Sequence, residues 1–309
     1  MNFFKPDFWD KNKISIFSIL LIPITFLIKL IFYLRKHLTK VHKCSIPIIC
    51  IGNIYLGGTG KTPVSIEIYS ILKKLNINAA FIRKKYDSYQ DEVIMQKSVG
   101  PFYESKKRIN AIEAAQKNGI QVALLDDGFQ DFSFKKDLSI ICFTEKQWIG
   151  NGHTIPSGPL RESLAGLIRA DCVIINGKKN TDIEQVILSK NKEIKIFYTQ
   201  YNPKNIDLFI NKKIIAFAGI GNPQNFFDML QANNLNILKT IKFPDHHEYK
   251  EDELKKLINE SEKNNATLLT TEKDYLRLSE EYKRKINFLK ISIEIKSEDK
   301  LIEQLKNII

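Results

Sequence analysis

The chain opens on an almost unbroken apolar run, Ile14–Leu34, then breaks into short β-branched blocks separated by polar, amphipathic stretches. The blocks Ile46–Ile51, Gln121–Leu125, Leu138–Phe143 and Ala170–Ile175 show little alternation of polar and apolar positions. Continuous runs of this kind mark strands covered on both faces, as in a parallel sheet. Asn78–Ile82 adds a short strand, and Val64–Leu72 has the period of a helix. This order predicts an α/β fold, a mostly parallel sheet flanked by helices. From Asn176 to about Tyr201 the lysine and asparagine content rises and the period weakens, which fits a peripheral helix and strand. A second, smaller α/β unit follows, with strand Ile214–Ala218, helix Gln224–Leu230 and strands Ile237–Phe243 and Ala266–Leu269. The expected division is 1–43 for an N-terminal membrane-associated helix and its flank, 44–205 for the core, and 206–309 for the C-terminal α/β domain.

The 21 residues of the apolar run, if helical, would cross a hydrocarbon core of roughly 30 Å. Pro23 and Lys29 interrupt it, although Lys29 is near enough to one end to snorkel to the headgroups. Lys11 and Lys13 precede the run, Arg35, Lys36, His37, Lys40 and Lys43 follow it, and Phe3, Phe4, Phe8 and Trp9 suit an interface. Three placements are open: a single span, a helix lying in the membrane interface, or a buried core helix. No small-residue cleavage site follows, which argues against a cleaved signal peptide. The heavier positive charge downstream favours the cytoplasmic side for the rest of the chain.

At 309 residues the chain is long enough for one large or two modest domains, and 43% hydrophobic with 27% charged residues is ordinary for a folded protein. The formal net charge of +12 is not ordinary. It points to an anionic partner, whether nucleic acid, an acidic membrane surface or a phosphorylated substrate; a general lysine bias is the alternative. Cys44, Cys50, Cys142 and Cys172 are scattered without Cys-x-x-Cys spacing, so neither a disulfide framework nor a cysteine metal site is expected.

The densest chemical signal is the stretch after the first core strand: Tyr55-Leu56-Gly57-Gly58-Thr59-Gly60-Lys61-Thr62, leading into a helix. Glycines let the backbone fold closely around an anion, and the following helix offers unpaired N–H groups and its dipole to phosphate. Lys61 is then placed to reach the β- and γ-phosphates of ATP and the Thr62 hydroxyl to hold Mg²⁺. The usual pattern has glycine where Tyr55 stands; Gly57 and Gly58 supply the freedom instead. A plain glycine-rich turn is the alternative.

Acids stand where such a site needs them. Asp91-Glu92 open a helix, either as dipole-complementing residues or, for Asp91, as an acceptor of a hydroxyl proton. Asp126-Asp127 close an apolar strand, the place of a metal-holding acid in P-loop enzymes; an Asp-Gly hairpin turn is the alternative. Pro156-Ser157-Gly158-Pro159-Leu160-Arg161-Glu162 reads by itself as a rigid turn presenting an Arg and a Glu. His246, beside Asp245, is the side chain most easily tuned near neutral pH. Consecutive positions 245–248 point apart, which disfavours a metal site there. Gly219-x-Gly221 before Pro223 reads as a strand–helix turn rather than a phosphate loop, and Thr270–Asp274 as a capped helix start.

In this order, Gly52-Asn53-x3-Gly57-Gly58-Thr59-Gly60-Lys61-Thr62-Pro63, Asp91-Glu92, Leu125–Gln130, Pro156–Glu162, Phe243–His247 and Thr270–Asp274 resemble the tetraacyldisaccharide 4'-kinase family over about residues 14–275. The resemblance implies a P-loop NTPase-like fold and transfer of the ATP γ-phosphate to the 4'-hydroxyl of a lipid-bearing glucosamine disaccharide 1-phosphate, in lipid A biosynthesis. It implies Lys61 and Thr62 at nucleotide and Mg²⁺, and Asp91 as proton acceptor assisted or oriented by His246 and Asp245. Glu92, Asp126 and Asp127 would belong to the metal and phosphate network, and Tyr86, Arg161, Glu162 and Lys273 would lie toward substrate. It also implies a place at the cytoplasmic face of the inner membrane, against anionic lipid. One departure stands out: the family's Ser-Arg-Gly-Tyr-Gly is replaced by Arg83-Lys84-Lys85-Tyr86-Asp87, with a shortened run to Asp91. The competing reading is a membrane-recruited regulatory P-loop ATPase, which leaves the Asp-His-His and Pro-Leu-Arg-Glu stretches without a task. A nucleic-acid module, the third reading, is disfavoured by the lack of basic, aromatic-rich motifs and by the apolar N-terminal segment.

Overall fold

A computed structural model of the chain describes residues 6–9, 15–85 and 90–309. It forms two compact units. The larger holds 6–9, 15–85, 96–200 and 293–309; the smaller holds 90–95 and 201–292. The chain therefore leaves and re-enters the larger unit, a discontinuity that no change of composition signals.

In the larger unit, strands β1 (Ile48–Gly52), β2 (Ala79–Lys84), β3 (Phe102–Ser105), β4 (Val122–Asp126), β5 (Leu138–Thr144), β6 (Cys172–Asn176) and β7 (Lys195–Pro203) join the last strand, β12 (Ile291–Ile295), in one sheet. Their order is β12-β7-β6-β5-β1-β4-β2-β3. β1 runs parallel to β4 on one side and β5 on the other. An Asp-Gly hairpin between β4 and β5 is thereby ruled out, because β1 lies between them. Every residue of β1, β4 and β5 is buried, as unalternating apolar runs require. The register sets Ile51 opposite Asp126, so the acid ends its strand beside the strand that feeds the glycine loop. That carboxyl edge is where open parallel sheets bind ligands. Burial pushes the Cys50 thiol up to about 11 and the Cys142 thiol up to about 12, so both act as small hydrophobes.

The apolar N-terminal run forms two helices rather than one, α1 (Ile16–Leu20) and α2 (Ile22–Leu38), separated at Leu21 with Pro23 in the first turn of α2. Among the described residues no helix is long and apolar enough to cross a membrane. Of the three placements, the single span is therefore not found among the described residues: α2 has 17 residues and carries Lys29, Arg35 and Lys36. Nor is the run a core helix, since Leu20 is 68% and Phe26 and Ile31 each 65% exposed. Its small polar positions fasten it to the larger unit. Thr25 Oγ1 lies 2.7 Å from Ser157 Oγ, and Asn151 Nδ2 donates to Ser18 Oγ at 3.1 Å.

Further along the larger unit come α3 (Lys61–Lys74), α4 (Gln90–Lys97), whose first residues belong to the smaller unit, α5 (Arg108–Lys117) and α6 (Thr181–Lys190). The smaller unit is a second parallel sheet, ordered β11-β10-β8-β9, from β8 (Lys213–Ala218), β9 (Asn236–Lys242), β10 (Thr267–Thr271) and β11 (Asn287–Leu289). Side chains alternate across β8. Ile214, Ala216 and Ala218 pack with Phe226, Phe227 and Leu230 of α7 (Pro223–Ala232). Ile215 and Phe217 pack instead with Leu254, Leu257 and Ile258 of α8 (Glu251–Lys263). Pro223 stands at the start of α7, as expected for a strand–helix turn. Thr271 caps α9 (Glu272–Leu276), its hydroxyl accepting from the Asp274 N–H.

Candidate functional site

The glycine loop has the backbone its sequence requires. Gly57, Gly58 and Gly60 have φ of +77°, +59° and +80°, the left-handed region that favours glycine. Lys61 begins α3, and no side chain caps that helix, so its first N–H groups point into the loop without intrahelical partners. Thr62 follows in the first turn and is buried. A Cβ on Gly52 would sit 2.6 Å from the Phe129 Cβ, so the end of β1 tolerates no side chain beneath that ring.

The Pro-Leu-Arg-Glu loop braces this cradle. The Leu56 N–H donates to Pro159 O at 2.9 Å and the Arg161 N–H to Ile54 O at 2.7 Å, while Tyr55 bridges Leu160. Tyr55 is 1% exposed, which explains how it stands where the usual loop has glycine: it serves the brace, with its side chain packed inward. Glu162 accepts from Gln130 at 2.9 Å, and Gln130 also donates to the Asn53 carbonyl at 3.0 Å. Glu162 is ion-paired with Arg169, whose guanidinium lies 4.4 Å from the Phe129 ring centroid. Glu162, expected toward substrate, is thus placed in the support of the loop.

The two acids after β4 have different surroundings. Asp126 Oδ2 accepts from Gln96 Nε2 at 2.8 Å, and the same amide reaches Ser65 Oγ of α3 at 3.2 Å. Asp127, at φ +57°, holds Arg161 Nη1 at 2.6 Å, and its carbonyl accepts from Arg108 Nη2 at 2.9 Å. Burial would raise the Asp127 pKa; the charges of Lys61 and Arg161 and the Arg161 hydrogen bond outweigh it and hold the carboxyl below its ordinary range. Among the described residues no cluster of three or more His, Cys, Asp or Glu could hold a metal alone. A hydroxyl and one carboxylate beside a phosphate cradle nonetheless suit Mg²⁺, which takes few protein ligands and completes its shell with substrate phosphate and water.

The smaller unit carries the other expected residues. Asp91 is 2% exposed; its Oδ2 accepts from Arg277 Nη2 at 2.8 Å and its Oδ1 lies 3.6 Å from His246 Nδ1. His246 Nε2 in turn faces Asp245 Oδ1 at 3.8 Å. Burial would raise Asp91, but the neighbouring His246 ring and the charges of Arg277 and Lys273 hold it well below the usual carboxylate range. Glu92, expected at the metal, has its Oε1 2.8 Å from Lys273 Nζ, which was expected at substrate. Burial would lower Lys273, yet the charges of Glu92 and Asp91 raise it above an ordinary lysine, so it stays cationic. His247 Nε2 lies 2.9 Å from Glu253 of α8, so the second histidine serves a helix start. Tyr86 lies outside the described residues.

Three participants escaped the sequence reading. Gln96 is a lone amide on α4 with no local signal. Arg108 starts α5 and pairs with Asp131 at 2.9 Å; it sits in no recognisable motif. Arg277 falls three residues beyond the Thr-Thr-Glu-Lys-Asp stretch, on the same helical face as Asp274, and that spacing was the available clue.

Known proteins agree along nearly the whole chain. The family model described as tetraacyldisaccharide-1-P 4'-kinase matches residues 17–101 and 83–309. A tetraacyldisaccharide 4'-kinase of Pelagibacter ubique is 42% identical, covering 97% of this chain and 96% of that protein. The protein of the same name from Paramagnetospirillum magneticum is 31% identical, covering 94% of each. In fold, the chain is similar to the crystal structure of LpxK from Aquifex aeolicus in complex with ATP, with a TM-score of 0.71 at 22% identity, covering 94% of this chain and 99% of that one.

Proposed function

Because the chain belongs to the tetraacyldisaccharide-1-P 4'-kinase family, we propose a division of labour among its residues for that family's reaction. The reaction moves the ATP γ-phosphate to the 4'-hydroxyl of a tetraacylated glucosamine disaccharide 1-phosphate, a step of lipid A biosynthesis. The observation that carries the proposal is the braced cradle of Gly57, Gly58 and Gly60 opening onto Lys61 at an uncapped helix start. Its N–H groups hold the phosphates, and Lys61 balances charge gathering on the γ-phosphoryl oxygens. Thr62 and Asp126 would hold Mg²⁺, which when bound neutralises phosphate charge. Asp127, paired with Arg161, would complete the metal and phosphate network. Asp91 accepts the hydroxyl proton, with Arg277 on one of its oxygens and His246 beside the other.

Purified protein with γ-labelled ATP and the disaccharide 1-phosphate in mixed micelles should put label into the lipid, stop with EDTA and resume with added Mg²⁺. Hydrolysis of ATP with no labelled lipid would favour the regulatory ATPase instead.

The same reading seats the enzyme on a membrane surface through α1 and α2, at the cytoplasmic face. Their exposed apolar side chains are accompanied by Lys29, Arg35, Lys36, Lys40 and Lys43, the composition of a helix lying in an anionic interface. Beside them a cavity of about 350 Å³ is lined by Ile28, Phe32 and Tyr33 together with Lys29, Arg161 and Arg169. Apolar walls and cations in one cavity suit an acyl chain joined to an anionic group. Phe26 and Ile31 are each 65% exposed, and exchanging each for serine should weaken sedimentation with anionic vesicles by roughly tenfold per residue. Unchanged sedimentation of the double variant would exclude these helices as the anchor.

A further inference from the structure

Arg277 belongs to no motif that carried the functional reading, yet its guanidinium makes four contacts in the smaller unit. Nη2 donates to Asp91 Oδ2 at 2.8 Å and to His246 Nδ1 at 3.3 Å. Nη1 donates to the Gly219 carbonyl at 2.9 Å and to Asp274 Oδ1 at 3.0 Å. The second pair of contacts is to a fixed frame. Asp274 is fully buried; it accepts from Gly219 N–H at 3.1 Å, Tyr249 OH at 2.8 Å and the Thr271 hydroxyl at 2.7 Å. The Gly219 carbonyl also accepts from the His246 N–H at 3.0 Å, which secures a histidine held at φ +55°. A side chain at Gly219 would crowd Tyr249 OH at 2.9 Å, so the frame is close-packed around this carbonyl.

A guanidinium has five N–H donors in a planar fork and no acceptor. Two consequences follow. Because Arg277 binds Asp91 Oδ2, it turns Oδ1 toward His246. Because it donates to His246 Nδ1, a neutral ring must keep its lone pair there and its proton on Nε2, the nitrogen that faces Asp245. The fork therefore selects the oxygen of the acid and the tautomer of the ring, and ties both to β8 and α9.

We propose that Arg277 is a positioning residue for phosphate transfer, holding Asp91 and His246 in register through one planar fork anchored on Gly219 and Asp274. The proposal rests on the reading of Asp91 as proton acceptor. It acts on the chemical step rather than on binding, because what the fork holds is the acid and the ring.

The test is a double-substitution cycle in the full chain, with transfer to the lipid disaccharide as the readout. Arg277→Gln should lower kcat about 100-fold, the cost of a misplaced reacting group, and leave the KM for ATP and for lipid within about threefold. In an Asp91→Asn background the same substitution should remove less than about threefold more, because the group it positions is already gone. Arg277→Lys keeps the cation but not the fork; it should fold as wild type by thermal unfolding and still lose kcat. Guanidinium added to Arg277→Gly should restore part of the rate. Losses that multiply in the double variant, a rise confined to KM, or full activity of Arg277→Lys would each overturn the proposal. If Asp91→Asn alone retains near-normal turnover, the reading of Asp91 fails instead, and the two failures are told apart.

Discussion

Asp91→Asn should lower transfer to the lipid by about 10³-fold, within the usual worth of a positioned proton acceptor, while ATP binding stays near wild type. Asparagine keeps the volume and can still accept from Arg277, but it cannot take a proton. The substitution also removes a buried negative charge from between Arg277 and Lys273, which lie at 12% and 26% side-chain exposure. Breaking such a pair costs roughly 3–5 kcal/mol when the partner is left buried, so unfolding must be followed alongside turnover. The informative result is a folded protein that binds ATP and does not transfer; a folded variant with turnover near normal would remove Asp91 as the base.

The pH behaviour follows from the same contacts. The Asp91 carboxyl is held well below its ordinary range in the folded protein, so the stability it contributes is present above the unfolded value of about 4. That stability is lost as pH falls through the lower folded value. Between pH 8 and 5 the carboxylate stays ionised, and any fall in rate across that window has another origin.

Much of this was legible because strand burial and loop chemistry are local. The unalternating runs at Ile46–Ile51, Gln121–Leu125 and Leu138–Phe143 gave buried parallel strands, and Gly57, Gly58 and Gly60 took the left-handed backbone that only their identity suggests. The interruption of the N-terminal run was visible in Pro23, but its effect was not. A hydropathy average sees one mostly apolar run of 21 residues, whereas the chain makes helices of 5 and 17 and fastens them through Ser18 and Thr25. The brace under the cradle was illegible for a different reason. Leu56 meets Pro159 and Ile54 meets Arg161 across about a hundred residues by backbone hydrogen bonds, which leave no mark in side-chain identity. Arg277, Gln96 and Arg108 were missed likewise: a lone polar residue on a helix looks solvated until the partner it meets is known. Glu92 and Lys273 carried the right charges, and the structure pairs them with each other.

Lys61→Ala should abolish transfer, with a loss of at least about 10³-fold, the upper range for removing one preorganised charge from a developing anion. The residue begins α3 directly after Gly60, and no other lysine stands in the first turn of that helix. Its ammonium and the Arg161 guanidinium both lower the Asp127 carboxyl, which marks the two cations as neighbours of one acid. Removing Lys61 leaves Arg161 held by Asp127 at 2.6 Å, unable to replace a charge that must follow the γ-phosphoryl group as it moves. The fold should survive, because the glycine backbone and the brace from Pro159 to Glu162 do not use the lysine side chain. Lys61→Arg separates charge from shape. A planar guanidinium in a cradle built for a compact ammonium should recover little of the rate, although the formal charge is restored. Recovery to near wild type by arginine would mean that net charge alone, and not a compact ammonium at the start of α3, sustains transfer.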